Sequence, residues 1–212
     1  MKFIDLHTHL LPGVDDSKLH LEQIEEMMNK YKEANFGVIA VTPHLYNPYV
    51  FTHIDIIEER LKYVKSIAEN YGIKCILGSE VYVDQQEIIR GIPIDLRYQL
   101  IEFSTKLPIA DLEKKVEALK NTGIEIIIAH VERYPYMGVR TKLFKNLRDM
   151  GVFFQVNVGG LENGSALPFV EERVADILST DNHGDFTFPE RYLKQLEDFP
   201  YLIQRMESLN IN

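Results

Sequence analysis

Cysteine is almost missing from this 212-residue chain, with Cys75 as its one thiol. A single cysteine excludes an intramolecular disulfide and any cage of thiolates around zinc. It lies in the apolar stretch IKCIL, which predicts a small buried residue. Positive charge is also scarce: 23 Lys and Arg stand against 32 Asp and Glu, a formal net charge of −9, and no basic run exceeds two residues. A nucleic-acid groove needs clustered cations along the phosphates, so nucleic acid is excluded as a partner. There is no run of eighteen apolar residues to span a bilayer. The start, MKFIDLHTH, lacks the basic, apolar and small-residue segments of a secretory signal. A soluble, cytoplasmic protein is expected. Linkers, repeats and low-complexity stretches are absent too, so residues 1–212 are expected to form one domain.

What the chain does have is a repeated alternation. Seven runs rich in Ile and Val predict strands: KFIDL (2–6), GVIAVT (37–42), IKCILG (73–78), YQLIEF (98–103), IEIIIA (124–129), VFFQVN (152–157) and ADILST (175–180). Between them, residues 21–34, 54–71, 110–122 and 140–150 repeat apolar positions at three- and four-residue spacing, as amphipathic helices do. The tail, 189–212, reads as one or two short helices. Gly37, Gly72, Gly123 and Gly151 are expected as left-handed helix caps. Strands apolar throughout, alternating with helices, indicate parallel pairing and an α/β class, either a barrel or a doubly wound sheet. No glycine-rich phosphate loop follows the first strand; HTH does.

The polar residues concentrate where these strands end. His7 and His9 follow the first, His44 the second, Glu80 the third, Glu102 the fourth, His130 the fifth, and Asp181 and His183 the seventh. In a parallel sheet the carboxyl ends of all strands gather on one face, so these residues converge. Side chains at i and i+2 on a strand point the same way, which lets His7 with His9, and Asp181 with His183, reach one site. Asp5 shares that parity and would either orient a histidine ring or bond to backbone. His20 and His53 do not follow strands. With Asp16 from the loop after the first strand, nine donors result, too many for one ion and suited to two or three divalent ions with bridging carboxylates. Imidazole and carboxylate donors without thiolate admit manganese, iron or zinc. Such ions would turn the negative charge of Asp16, Glu80, Glu102 and Asp181 into a cationic pocket suited to a phosphate ester.

The segments FIDLHTHLLPGVDD, VTPHLYNPY, GSEVYV, LIEF, IIAHVERY, FQVNVGG and STDNH resemble the PHP (polymerase and histidinol phosphatase) superfamily of metal-dependent phosphoesterases, over nearly the whole chain. The pattern is most similar to the CpsB/YwqE-type tyrosine phosphatases of bacterial capsular and exopolysaccharide clusters. That resemblance implies a distorted seven-stranded (β/α) TIM-like barrel. It implies one metal on His7, His9, Glu80 and Asp181, a second on Glu80, Glu102 and His130, and a third on Asp16, His44 and His183, with Mn²⁺ favoured over Fe²⁺ or Zn²⁺. Arg133 would clamp the substrate phosphate, and His183 or a metal-held water would act as acid. Val131 stands where the family usually has proline. Only Arg191 is placed to serve as the family's second arginine, and the chain is shorter than typical members between His130 and Asp181 and at its C-terminus.

The activity so implied is hydrolysis of phosphate monoesters, foremost phosphotyrosine on protein, with a bacterial tyrosine-kinase tail as a partner that the resemblance admits. Tyr46, Tyr49 and Tyr82 follow ligand-bearing strands and would pack on a phenyl ring. A cysteine phosphatase is excluded, because its phosphate loop needs an arginine about six residues after the cysteine, and position 81 is Val. A phosphatase of small alkyl phosphates such as histidinol phosphate, a nuclease, against which the absent basic groove counts, and a noncatalytic module that binds metal or a kinase tail are the competing readings. The oligomeric state is left open.

Overall fold

The computed structural model describes residues 2–84 and 91–211. Its strands are β1 (Phe3–Thr8), β2 (Phe36–Val41), β3 (His44–Leu45), β4 (Lys74–Leu77), β5 (Glu80–Tyr82), β6 (Tyr98–Glu102), β7 (Glu125–Ile128), β8 (Phe153–Asn157) and β9 (Ile177–Ser179). Every ladder among them is parallel. They form a three-stranded sheet, β1-β2-β4, and a six-stranded sheet, β3-β5-β6-β7-β8-β9; neither closes on itself. The α/β class and parallel pairing follow the pattern expected of strands that are apolar on both faces.

Among the described residues nine strand segments stand where seven were expected: the runs predicted at 37–42 and 73–78 form β2 and β4, and each is followed by a further short strand, β3 or β5. Pro43 has no N–H to give a ladder and separates β2 from β3. Gly78, between β4 and β5, sits so close to Ile94 that a Cβ there would lie 2.5 Å from its Cγ1. The paths nevertheless stay hydrogen-bonded: Gly78 N–H donates to Val41 O at 2.9 Å and Glu80 N–H to Pro43 O at 3.1 Å. Where β1 and β9 end, Asp181 N–H donates to His7 O and His9 N–H to Asn182 O, both at 2.9 Å.

The predicted helices are present as α1 (Ile24–Glu33), α2 (Ile57–Asn70), α3 (Leu112–Lys120) and α4 (Lys142–Asp149). Two short ones, α5 (Val158–Glu162) and α6 (Leu167–Glu171), were not expected, being too brief to show a helical period. The tail forms α7 (Phe188–Asp198) and α8 (Tyr201–Glu207), with position 212 outside the described residues. No helix among the described residues is long and apolar enough to cross a membrane. Gly72, Gly123 and Gly151 have φ of +68°, +85° and +74°, as left-handed caps should. Gly37 does not: Asn35 takes that conformation at φ 61°, and Gly37 lies within β2 against Lys2.

The helices bury one face each on the strands. Tyr31 of α1 and Tyr192 of α7 both pack on Phe36 of β2, with ring centroids 4.9 Å apart in each pair, and all three are buried. Cys75 is buried and free, and burial lifts its thiol to about 12. Asp5 does not orient a histidine ring. Its carboxylate accepts from Thr180 Oγ1 at 2.6 Å, Thr180 N at 3.1 Å, Tyr31 OH at 3.1 Å and His7 N at 3.4 Å, fastening β1 to the turn after β9. Burial raises its pKa to about 6 against those four donors.

Thr180→Val keeps the shape of that side chain but removes the 2.6 Å donor to a buried carboxylate. Its expected cost is about 1–3 kcal/mol of unfolding free energy, read from urea denaturation with an unchanged slope. A midpoint equal to the parent's would show that Asp5 does not depend on that bond.

Candidate metal centre

The strand ends deliver their polar residues to one place. Parallel register sets His44 of β3 opposite Glu80 of β5, and Glu102 of β6 opposite Tyr82. His7, His9, Glu80, Glu102, His130, His44 and Asp181 are all buried; Asp16 and His183 stand more open at the mouth. Two of the nine have left-handed backbone, His130 at φ 32° and Asp181 at φ 54°. Each such residue costs on the order of 1 kcal/mol or more, strain that typically persists where a site requires the geometry.

Hydrogen bonds behind the rings decide which nitrogens face the centre. His9 Nδ1 donates to Asp15 Oδ2 at 2.7 Å, so its Nε2 is left as a bare lone pair when the ring is neutral. The backbone N–H of His130, which can only donate, reaches Gln155 at 2.9 Å and identifies that atom as Oε1. His7 Nδ1, 3.1 Å from the same oxygen, must then carry a hydrogen, and its Nε2 is bare as well. These two nitrogens face each other at 3.2 Å. Asp181 Oδ1 lies 3.3 Å from His7 Nε2 and 3.5 Å from His9 Nε2. Glu80 Oε2 is 3.3 and 3.4 Å from the same two atoms, and it is buried in a geometry that makes no hydrogen bond. Four lone pairs converging in a buried space need a cation among them.

Three groups of donor atoms are tight enough to hold an ion: His7, His9 and Asp181; His44, Glu80 and Glu102; and His9, Asp16, His44 and His183. The grouping differs from the expected one: Glu80 is grouped with His44 and Glu102 and not with His7 and His9, His44 stands there in place of His130, and His9 joins Asp16, His44 and His183. His44 Nδ1 sits 3.0 Å from both Glu80 and Glu102, whereas His130 reaches only Glu80, at 2.8 Å from Oε1. A mixed imidazole and carboxylate donor set of this kind fits a divalent transition ion.

Where no such ion is held, protons balance the charge. Burial opposes charge on His9 and His44, yet the bond to Asp15 lifts His9 to about 10 and that to Glu102 lifts His44 to about 11. Burial also pushes Glu80 and Asp181 upward, but the neighbouring His7, with Arg133 beside Asp181, holds both well below the carboxylate range.

At the rim, Arg133 donates from its guanidinium to Asp181 Oδ2 at 2.6 Å and remains half exposed. His183 donates from Nδ1 to Asp181 O at 2.9 Å and presents Nε2 to Asp16 Oδ1 at 3.1 Å. A cavity of about 500 Å³ opens beside Asp16, Lys18, Asp181 and His183. Tyr46 and Tyr49 are exposed, and Tyr49 meets Tyr82 edge-on at 6.2 Å. Arg191 does not reach the centre: Glu162 and Asp185 bind it, and it lies over the Phe188 ring at 4.2 Å. Sequence reasoning missed Asp15, Gln155, Asn157 and Tyr134, whose hydroxyl lies 3.1 Å from His130 Nδ1. The QVN of β8 carried a usable signal, since Gln155 and Asn157, at i and i+2 where a strand ends, share one face as His7 and His9 do.

Residues 3–187 match the model of the family described as capsular polysaccharide synthesis, CpsB/CapC. The chain belongs to that family. Among curated relatives, the tyrosine-protein phosphatase CpsB of Streptococcus pneumoniae is 27% identical over 190 residues, covering 84% of this chain and 78% of the relative. The fold is similar to one solved for YwqE from Bacillus subtilis and CpsB from Streptococcus pneumoniae, described as unique metal-dependent tyrosine phosphatases. That match has a TM-score of 0.77 at 22% identity and covers 92% of this chain and 87% of the other. A histidinol phosphate phosphatase from Lactococcus lactis, solved with zinc, L-histidinol and phosphate, matches at a TM-score of 0.58 and 11% identity, covering 93% of each chain.

For this CpsB/CapC member the raised imidazoles set a sign. Their charge stabilises the metal-free fold fully below the unfolded histidine pKa of roughly 6.5, and that contribution is lost as pH rises through about 10 and 11. The melting temperature of metal-free protein is therefore expected to fall between pH 7 and pH 10.5, and far less when the protein is saturated with Mn²⁺. Equal falls in both forms would contradict the assignment.

Proposed function

We propose that this chain is a metal-dependent phosphate monoester hydrolase acting on phosphotyrosine in proteins, serving capsular or exopolysaccharide regulation. The observation that carries the reading is the set of bare Nε2 atoms of His7 and His9 facing the carboxylates of Glu80 and Asp181. Family membership and the names of the relatives supply the substrate class. His7, His9, Glu80 and Asp181 would hold one divalent ion, and Glu80 and Glu102 a second with His44 or His130. Asp16, His44 and His183 would hold a third, with Mn²⁺ preferred. Bound ions of this kind supply an acidified water and neutralise charge on a transferring phosphoryl group.

The chain's own groups do the rest. Arg133, half exposed above Asp181, is positioned to clamp an equatorial phosphate oxygen through two N–H donors. His183, at the mouth, would hand a proton to the leaving oxygen only from Nε2 and only where that atom does not hold the third ion, because Nδ1 is committed to Asp181 O; otherwise a water acidified by a bound ion would be the proton source. A tyrosine oxygen, with a pKa near 10, needs less of that help than an alkoxide. Tyr46, Tyr49 and Tyr82 offer aromatic surface beside the mouth for the phenyl ring and for a disordered peptide such as a kinase tail. We also infer that the two sheets act as one distorted, seven-stranded barrel. In support, β3 and β5 prolong β2 and β4, and a Thr8–Asn182 bridge joins the outer edges.

Metal-stripped protein reconstituted with Mn²⁺ is expected to hydrolyse a phosphotyrosine peptide in preference to histidinol phosphate, and a chelator to abolish turnover. Preference for histidinol phosphate would transfer the site to small alkyl phosphates, and no turnover of either with full Mn²⁺ occupancy would favour a noncatalytic module. Arg133→Ala is expected to lower kcat/KM for the peptide by roughly 10²-fold or more, as loss of one preorganised charge donor does. His44→Ala is expected to leave a folded protein without measurable turnover.

A further inference from the structure

Behind the centre, the β8 side chains Gln155 and Asn157 are both buried and form a continuous chain of donors and acceptors. Its direction is set without ambiguity. The His130 N–H fixes Gln155 Oε1 as the acceptor, so the other end of that amide is Nε2, which donates to Asn157 Oδ1 at 2.5 Å. Asn157 then presents Nδ2, which donates to Asp181 Oδ2 at 2.9 Å, beside the Arg133 guanidinium on the same oxygen. Glu132 Oε1 accepts from the Asn157 N–H at 3.1 Å and holds the end of the strand.

We propose that Gln155 and Asn157 are positioning residues that work as one unit. At one end the relay dictates which nitrogen of His7 is bare; at the other it occupies Oδ2 of Asp181 and leaves Oδ1 free. The two atoms so selected, His7 Nε2 and Asp181 Oδ1, are the pair that meet at 3.3 Å. Two amides therefore couple the orientation of two donors 174 positions apart in the chain. A carboxylate could accept from His7 but could not donate onward, and a hydroxyl is too short to reach both partners. An amide of this length supplies the acceptor and the donor together. The inference rests on the metal centre proposed above and assigns these two residues the task of preparing it.

The test is calorimetric titration of metal-free protein with Mn²⁺ alone, for the parent, Gln155→Met, Asn157→Ala and the double variant. Each single variant is expected to weaken the tightest Mn²⁺ site by roughly 10–100-fold, the range typical for partners that orient a ligand. The double variant is expected to be no more than about threefold weaker than the weaker single one, because members of one network are not additive. Val64→Ala, a buried change on α2, which packs on β4 away from the relay, serves as control for general destabilisation and should keep the parent's affinity. Unchanged affinity in both single variants, or losses that multiply in the double variant, would overturn the proposal. Should Gln155→Met fail to fold, Asn157→Ala decides alone, and parental affinity there overturns it. Parent protein that binds Mn²⁺ yet cleaves no phosphotyrosine would remove the activity while the comparison of variants still judges the relay. Parent protein that binds no Mn²⁺ overturns both.

Discussion

Two imidazole nitrogens, Nε2 of His7 and of His9, are held 3.2 Å apart among buried side chains, with two carboxylate oxygens in front of them. Left neutral, this arrangement is repulsive, and only a proton or a metal ion relieves it. The surroundings keep it from relaxing. Asp15 and Gln155 hold the rings from behind, so neither can turn its hydrogen-bearing nitrogen inward without abandoning a buried partner. The β1 strand that carries them is paired to β2 and hydrogen-bonded to the end of β9, so the backbone cannot withdraw either. The cost of the site is thus borne by the buried, apolar parallel strands around it.

That dependence explains the gradient of burial across the site. Donors at the floor are sealed, since an exposed lone pair would find water and lose its demand for a cation. Asp16, His183 and Arg133 sit where solvent reaches them, as groups proposed to meet and release a substrate would have to. Val131 suits the same scheme. A proline at that position would press the preceding residue toward extended backbone, and His130 instead has φ 32° and ψ 56°. With valine there, fully buried, the turn that aims the His130 ring at Glu80 forms without that restriction.

Much of this was legible because strand parity and strand endings are simple geometry. The alternation His7, Thr8, His9 at a strand end predicts two rings on one side, and that is where they lie. Parity told less about Asp5, since a buried carboxylate can take hydroxyl and amide donors as well as imidazole, and Thr180 and Tyr31 supply them. The strands that resume after Pro43 and Gly78 left no signal because, at two and three residues, they are too short to show an apolar run. Gln155 and Asn157 were overlooked for a different reason: they are neutral, and a search for charge passes over the residues that orient it. Asp15 comes from a loop, where no period tells which of two adjacent aspartates turns inward.

The balance of charge at the rim has a further consequence. The chain carries a net −9, Arg191 is spent on Glu162 and Asp185, and the Arg133 guanidinium is already bonded to Asp181. A phosphate dianion approaching the mouth therefore finds little uncommitted positive charge from arginine. Divalent ions held by the strand-end donors would supply that attraction, and ions drawing on Asp181 would compete with Arg133 for it. On the proposed reading, substrate affinity should follow metal occupancy more closely than it follows any single basic side chain.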